Sequence, residues 1–255
     1  MQDQIVYELP INERMRTLLR LELLFGRAEH HLAGETLWDA RASMNGLMEI
    51  LCIGGRSDLK SELIKELDRQ INALSRLSEQ PSIDPDRLQE VTKSLESISQ
   101  KLYQHNGQVG SSLKNHEFIK AIMQRTSIPG GTCDFDLPAY HFWLQQEPGV
   151  RSETLNQWFS NFDTVKQATT TILQLIRDSA EPEGIIAEKG FYQETMEPTH
   201  PAQIVRVEID KQYPFYAEIS GGKHRFAIRF LEMSMDSRPA QTTKDIPFKL
   251  TRCML

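Results

Sequence analysis

The residues best able to carry chemistry gather at a few points in the chain, and their spacing fails each familiar reaction in turn. Gly221-Gly222-Lys223-His224 has the ending of a phosphate-binding loop. Such a loop needs a glycine five positions before its second glycine, and a Ser or Thr after the lysine to hold magnesium. Ala217 and His224 stand in those places. Glu29-His30-His31 sets its imidazoles side by side, whereas two helical ligands sharing one ion need i,i+3 or i,i+4 spacing. His116-Glu117 lacks the second histidine of a zinc-protease helix. Cys133 and His141 invite a thiol nucleophile, but no nucleophile motif surrounds either, and Cys133 reads as a buried free thiol. Ser127-Ile128-Pro129-Gly130-Gly131 follows a helical stretch rather than a strand, so it reads as a turn, not a dinucleotide fingerprint. The expectation is a chain that is not an enzyme and needs neither metal nor cofactor.

Arginine is the informative residue type. At about 100° per residue, a helix over the first part of the chain brings Arg16, Arg20 and Arg27 within roughly 40° of one another, beside its apolar face. A stripe of one sign is costly unless something acidic neutralises it, and Glu13 supplies one local partner. Arg225 and Arg229 are four apart, on one face of a strand whose other face carries Phe226, Ile228 and Phe230, and Lys223 extends the basic face. Guanidinium groups hold carboxylates bidentately. Two arginine-bearing surfaces therefore point to docking of an acidic partner segment.

The elements that must position these residues are mostly helical at first. Asn12 is a natural N-cap for a helix to about His31 with Met15, Leu18, Leu19 and Leu23 on one side. A second helix spans Glu35 to Ile53 and stops at Gly54-Gly55. Ser57 caps a third, ended by the breaker running from Glu79 to Pro85. Leu88, Val91, Leu95, Ile98 and Leu102 recur at 3,4 spacing, as do Ile64, Leu67, Ile71 and Leu74, which predicts a long antiparallel helical hairpin. A helix around Ser112 to Arg125 follows, then one capped by Asp136, then one or two between Ser152 and Ser179. Near Pro182 the pattern changes to alternation: Val205, Val207 and Ile209 in one strand, Phe226, Ile228 and Phe230 in another, and Ile246 to Leu250 in a third. Tyr213-Pro214 and Ser220-Gly221-Gly222 read as turns, and Ile5 to Tyr7 as a strand returning to this group. The expected fold class is α+β. A mainly helical domain covers residues 10–182, and an antiparallel β domain joins residues 1–9 with 183–255.

Composition narrows the function classes. The 255 residues include 35 acidic and 29 basic side chains, a formal charge of −6, which argues against general nucleic-acid binding. Residues 186–255 hold 10 basic and 9 acidic residues and residues 1–185 the remaining 19 and 26, so the acidic surplus lies in the helical part. Mean hydropathy is −0.44, and no uncharged apolar run approaches the ~18 residues of a membrane span. Asp3, Glu8, Glu13 and Glu22 interrupt the N-terminal region, so no cleavable leader is expected. Three widely spaced cysteines fit a reducing compartment. The expectation is a soluble cytoplasmic protein without membrane insertion.

A series of longer motifs runs in order over nearly the whole chain. They are Asn12-Glu13-Arg14-Met15-Arg16-Thr17 with Leu19-Arg20, and Glu62-Leu63-Ile64-Lys65-Glu66-Leu67-Asp68-Arg69-Gln70. The Ser127 to Gly131 turn follows, with Cys133, Phe135-Asp136-Leu137-Pro138 and His141-Phe142-Trp143-Leu144. Leu175-Ile176-Arg177, Gly190-Phe191-Tyr192-Gln193 and Arg225-Phe226-Ala227-Ile228-Arg229-Phe230 complete the series. In these motifs the chain resembles the ZapD family of bacterial cell-division proteins, which bind FtsZ. Residues 80–115 match in length and helical character only. The resemblance implies a helical domain with a β domain, a symmetric homodimer, no catalysis and no cofactor. It implies binding to the C-terminal tail of FtsZ, cross-linking of filaments into bundles, and recruitment to the mid-cell division ring. It implies Arg16, Arg20 and His141 for the tail pocket, with Arg56 beyond the Gly54-Gly55 turn as a further candidate. Arg225 and Arg229 would contact the filament or a neighbouring tail. His141, beside Phe142-Trp143, reads equally as a core histidine. The competing reading, an enzyme or small-ligand protein with a pocket at the helical–β junction, calls for convergent His, Cys and carboxylates at ligand spacing, which the sequence does not offer.

Overall fold

The computed structural model describes residues 3–55, 58–77, 84–197, 202–236 and 238–255. The chain divides into two compact units, residues 18–172 and residues 1–17 with 173–255.

The first unit is helical. Helix α1 (Glu13–Leu32) begins where Asn12 Oδ1 accepts the Met15 amide at 2.9 Å, the cap its sequence predicts. Its inward stripe is Leu18, Leu21, Leu24, Phe25 and Ala28. Leu23, expected on that stripe, is 68% exposed, because a 3.6-residue period running through 18, 21, 25 and 28 leaves position 23 outside it. Helix α2 (Leu37–Gly54) starts with a capping box between Thr36 and Asp39. Helices α3 (Leu59–Leu77) and α4 (Pro85–Gln104) form the antiparallel hairpin. Lys60 Nζ donates to the His105 carbonyl at 2.6 Å at one end and Ser99 Oγ to Asp68 at 3.4 Å further along. Leu67, Leu74, Leu95, Ile98 and Leu102 are buried in the hairpin, while Leu88 and Val91 are half-buried. Asp84 caps α4 through the Asp86 and Arg87 amides. The expected Ser57 cap, and residues 79–83 of the expected breaker, lie outside the described residues.

Two helices, α5 (Ser111–Lys114) and α6 (Glu117–Arg125), replace the single one expected, because the backbone turns extended at His116. Helix α7 (Pro138–Leu144) starts after Leu137, not through an Asp136 cap. The Asp136 carboxylate is instead taken by Arg125 at 3.3 Å. Helix α8 (Pro148–Phe159) leads through a 3-10 turn into α9 (Asp163–Arg177). Buried Gln70 on α3 donates from Nε2 to the Ile172 carbonyl of α9 at 3.2 Å. Among the described residues no helix is long and apolar enough to cross a membrane.

The second unit is antiparallel. Strands β1 (Gln4–Pro10), β4 (Ile204–Asp210), β8 (Ile246–Cys253) and β2 (Glu183–Ala187) make one sheet in that order. The other runs β3 (Phe191–Thr195), β6 (Arg225–Glu232), β5 (Phe215–Gly222), with β7 (Ala240–Gln241) also pairing β6. β1 pairs β4 along its whole length, from Gln4↔Asp210 to Pro10↔Ile204, so the N-terminal strand joins the C-terminal ones as expected. The inner faces meet in an apolar core in which Phe230 and Phe248 lie 5.2 Å apart and Tyr192 and Phe248 5.7 Å. Strands β4 and β6 alternate as the sequence predicts, but Ser220-Gly221-Gly222 belongs to β5 rather than to a turn. Gly222 pairs Arg225, so the turn is Lys223-His224 and Lys223 does not extend the β6 face. The unit is cross-braced by charge. Arg252 on β8 grips Glu194 on β3 through Nε and Nη2 at 2.6 and 2.7 Å, and Glu183 on β2 through Nη1 at 2.6 Å. Arg177 and Arg206 converge on Glu8 of β1.

Candidate functional site

In the helical unit α1, α2 and the Thr126–Thr132 turn enclose an open cleft of about 980 Å³. Helix α1 contributes Arg20, Leu23 and Leu24, and α2 contributes Met48, Glu49, Cys52 and Ile53. The turn faces them with Ile128 and Pro129. Two close approaches set the shape. A Cβ on Gly46 of α2 would come within 3.3 Å of the Ala28 Cβ on α1, so the two helix backbones lie near one another. A Cβ on Gly131 would meet the Arg125 carbonyl at 2.6 Å and Ile128 at 2.8 Å. Only glycine lets the turn fold back on the end of α6, and the Gly131 amide then donates to the Ile128 carbonyl at 2.9 Å. This is the physical content of the Ser127 to Gly131 motif.

Behind the turn, Arg41 of α2 donates to Thr132 Oγ1 at 3.2 Å and lies over the Trp38 and Tyr140 rings at 5.7 and 5.4 Å. Tyr140 is stacked on Trp143 at 5.8 Å. Burial pushes the Tyr140 phenol up to about 12 against the opposing pull of Arg41.

The six residues implied by the resemblance fall in different places. Arg20 is exposed on the cleft wall and has no ion-pair partner among the described residues. Arg16 lies outside the cleft, its guanidinium bonded to Glu13 at 2.7 Å. His141 is exposed on α7 and lines no part of the cleft, so the core reading of this histidine is corrected. Its neighbours Tyr140 and Trp143 take the inward positions of the short helix. Arg225 and Arg229 are both exposed on the outer face of β6, and Arg229 is bonded to Glu218 on β5 at 2.5 Å. Arg56 lies outside the described residues. The cleft therefore holds one of the described five.

The sequence reading missed Glu49 and the role of Arg27, which are joined by an ion pair between Nη2 and Oε1. Asn45, Met48, Glu49 and Cys52 share one face of α2 by spacing, but nothing in the spacing says which of them meet water. Cys133 is exposed, not buried, because it sits on the outside of the turn region; Cys52 is exposed on the cleft wall. Cys253 is buried, and burial pushes its thiol up to about 11.

These features define an α+β protein with an open, partly apolar cleft edged by Arg20, which has no ion-pair partner among the described residues. The chain belongs to the ZapD family of cell division proteins, whose family model matches residues 19–229. It is 43% identical over 255 residues to the cell division protein ZapD of Methylococcus capsulatus, covering both chains completely. It is 38% identical to that of Aromatoleum aromaticum, over all of this chain and 99% of the relative. With that of Nitrosomonas europaea the identity is 36%, over 98% of this chain and 95% of the relative. Its role is in cell division.

Proposed function

We propose that the protein is a non-enzymatic division factor that binds the C-terminal tail of FtsZ and, as a homodimer, cross-links FtsZ filaments into bundles at the mid-cell ring. The observation that carries this reading is Arg20, a cation without an ion-pair partner among the described residues, on the wall of a cleft whose apolar lining is Leu23, Leu24, Met48, Ile53, Ile128 and Pro129. FtsZ tails combine acidic with apolar residues, and such a segment satisfies both halves of the cleft: a carboxylate on the guanidinium and apolar side chains against the walls. Each protomer supplies one tail site, and a two-fold dimer presents two, so filaments are bridged without further machinery. Arg225 and Arg229 on β6 offer a second basic contact, and Arg16 and His141 are further candidate contacts of the tail. The protein acts in the cytoplasm, and no membrane insertion is needed for any of this.

Co-sedimentation with FtsZ tests the reading. Wild-type protein should pellet with FtsZ filaments, and FtsZ lacking its tail should fail to recruit it. Undiminished bundling of tailless FtsZ would refute docking of the tail.

A further inference from the structure

We infer that the Arg27–Glu49 ion pair at the cleft is an exchangeable stand-in for the partner: Glu49 occupies the seat of a partner carboxylate on Arg27 and lowers the affinity of the cleft until it is displaced. This rests on the docking reading above. Glu49 lines the cleft, and its Oε1 takes Nη2 of Arg27. The two side chains remain open to water, 41% and 52% exposed, and an exposed pair of this kind is held only weakly. Its position is nevertheless fixed by the backbone. Arg27 adjoins Ala28 and Glu49 is one turn beyond Gly46, and a Cβ on Gly46 would come within 3.3 Å of the Ala28 Cβ, so α1 and α2 pack closely beside the pair. Ser43 Oγ donates to the Ala28 carbonyl at 3.5 Å in the same contact. The chain thus carries a carboxylate already seated on a guanidinium at the cleft's edge.

The spacing of the two arginines describes the occupant. Arg20 and Arg27 are seven residues apart on α1, which turns them about 20° and separates them by about 10.5 Å along the axis. Leu23 and Leu24 lie between. Extended chain advances about 3.3 Å per residue and points alternate side chains to one face, so an acidic segment engages both flexible guanidinium groups when its two carboxylates are four residues apart, about 13 Å. An apolar side chain between the carboxylates meets the leucines. One carboxylate takes Arg20, and the other replaces Glu49, whose own carboxylate turns out to solvent. The exchange conserves the number of ion pairs, so its cost is the displacement of Glu49 and the repulsion of a second acid beside it. Glu49→Gln removes both.

The test is FtsZ affinity, read by sedimentation, for four forms of the full chain: wild type, E49Q, R27Q and the double variant. E49Q should bind about 2–5-fold tighter, and R27Q about 2–5-fold weaker, as the gain or loss of one exposed charge pair implies. In the R27Q background E49Q should add less, because only the repulsion is left to relieve. Unchanged or weaker binding by E49Q overturns the inference. An equal gain by E49Q with and without Arg27 overturns it too, because Glu49 would then act as bulk charge. A peptide with two aspartates four residues apart and a leucine midway between them should displace FtsZ better than one with adjacent aspartates. Equal competition overturns the spacing. If wild type fails to bind FtsZ, or R20E binds as well as wild type, the docking reading itself falls and takes the seat with it.

Discussion

In the β unit, Arg252, Arg177 and Arg206 join one part of the chain to another; at the helical cleft, Arg20 faces outward. Arg252 holds strands β3 and β2 through Glu194 and Glu183, and Arg177 and Arg206 share Glu8. The Arg252 and Glu194 side chains are 29% and 22% exposed, so this clamp is largely shielded from water. Arg20 has no such partner among the described residues, and the partner of Arg27 is held in the open. The difference shows why counting arginines does not find a site. A guanidinium whose carboxylate is supplied by its own chain braces the fold, and one whose carboxylate is missing or loosely held is available to another molecule.

That contrast can be broken most forcefully at the clamp. Arg252→Ala leaves Glu194 half-buried without its charged donors, and should cost about 2–3 kcal/mol of stability in chemical denaturation while leaving FtsZ association of the folded protein unchanged. A loss of association at full stability would place Arg252 with the arginines proposed to bind the partner instead. Next in size is Gly131→Ala. Its Cβ would meet the Arg125 carbonyl at 2.6 Å, so the turn must shift, at roughly 1–3 kcal/mol, and binding at the cleft should fall with it. Unaltered binding would show that the Ser127 to Gly131 turn does not shape the site.

Acid sharpens the same distinction. Burial works to raise the Glu194 carboxyl, but hydrogen bonds from Arg252 and Tyr192 outweigh it and hold it below the usual range. A carboxyl lowered in the folded state binds fewer protons there than in the unfolded chain, so stability rises with pH across the window between the two values. The contribution is complete above the ordinary value of 4.5 and is lost as pH falls through the lowered one. Denaturation midpoints measured down the acidic range should fall less steeply for Glu194→Gln than for wild type. The smallest expected effect is at the outer face of β6. Arg229→Ala breaks an exposed pair with Glu218 and should change stability by about 0.5 kcal/mol or less.

Much of the fold was legible because local signals and tertiary packing agree. Asn12 caps α1, the 3,4 repeats of α3 and α4 face each other, and the alternation of β4 and β6 sorts inner from outer residues. Strands β2 and β3 were not legible. Gly184 interrupts the first, and the inward side of the second carries Glu194, whose burial makes sense only once Arg252 arrives from β8, 58 residues further on. Leu23 and Cys133 were misplaced for a related reason: their spacing or type fits an interior, but exposure is decided by which neighbours reach them. The site was legible in part. The turn motif and Arg20 stand out in the sequence, whereas Glu49 gains meaning only from Arg27 across the α1–α2 contact.

The central claim is that the Arg20 guanidinium, without an ion-pair partner among the described residues, receives an acidic segment of FtsZ. Sedimentation of the Arg20→Glu variant with FtsZ tests it most directly, since an exposed charge reversal leaves stability within about 0.5 kcal/mol and isolates the contact. The account predicts a variant that melts like wild type and stays in the supernatant while wild type pellets with the filaments. Pelleting of the variant to the wild-type extent would contradict it.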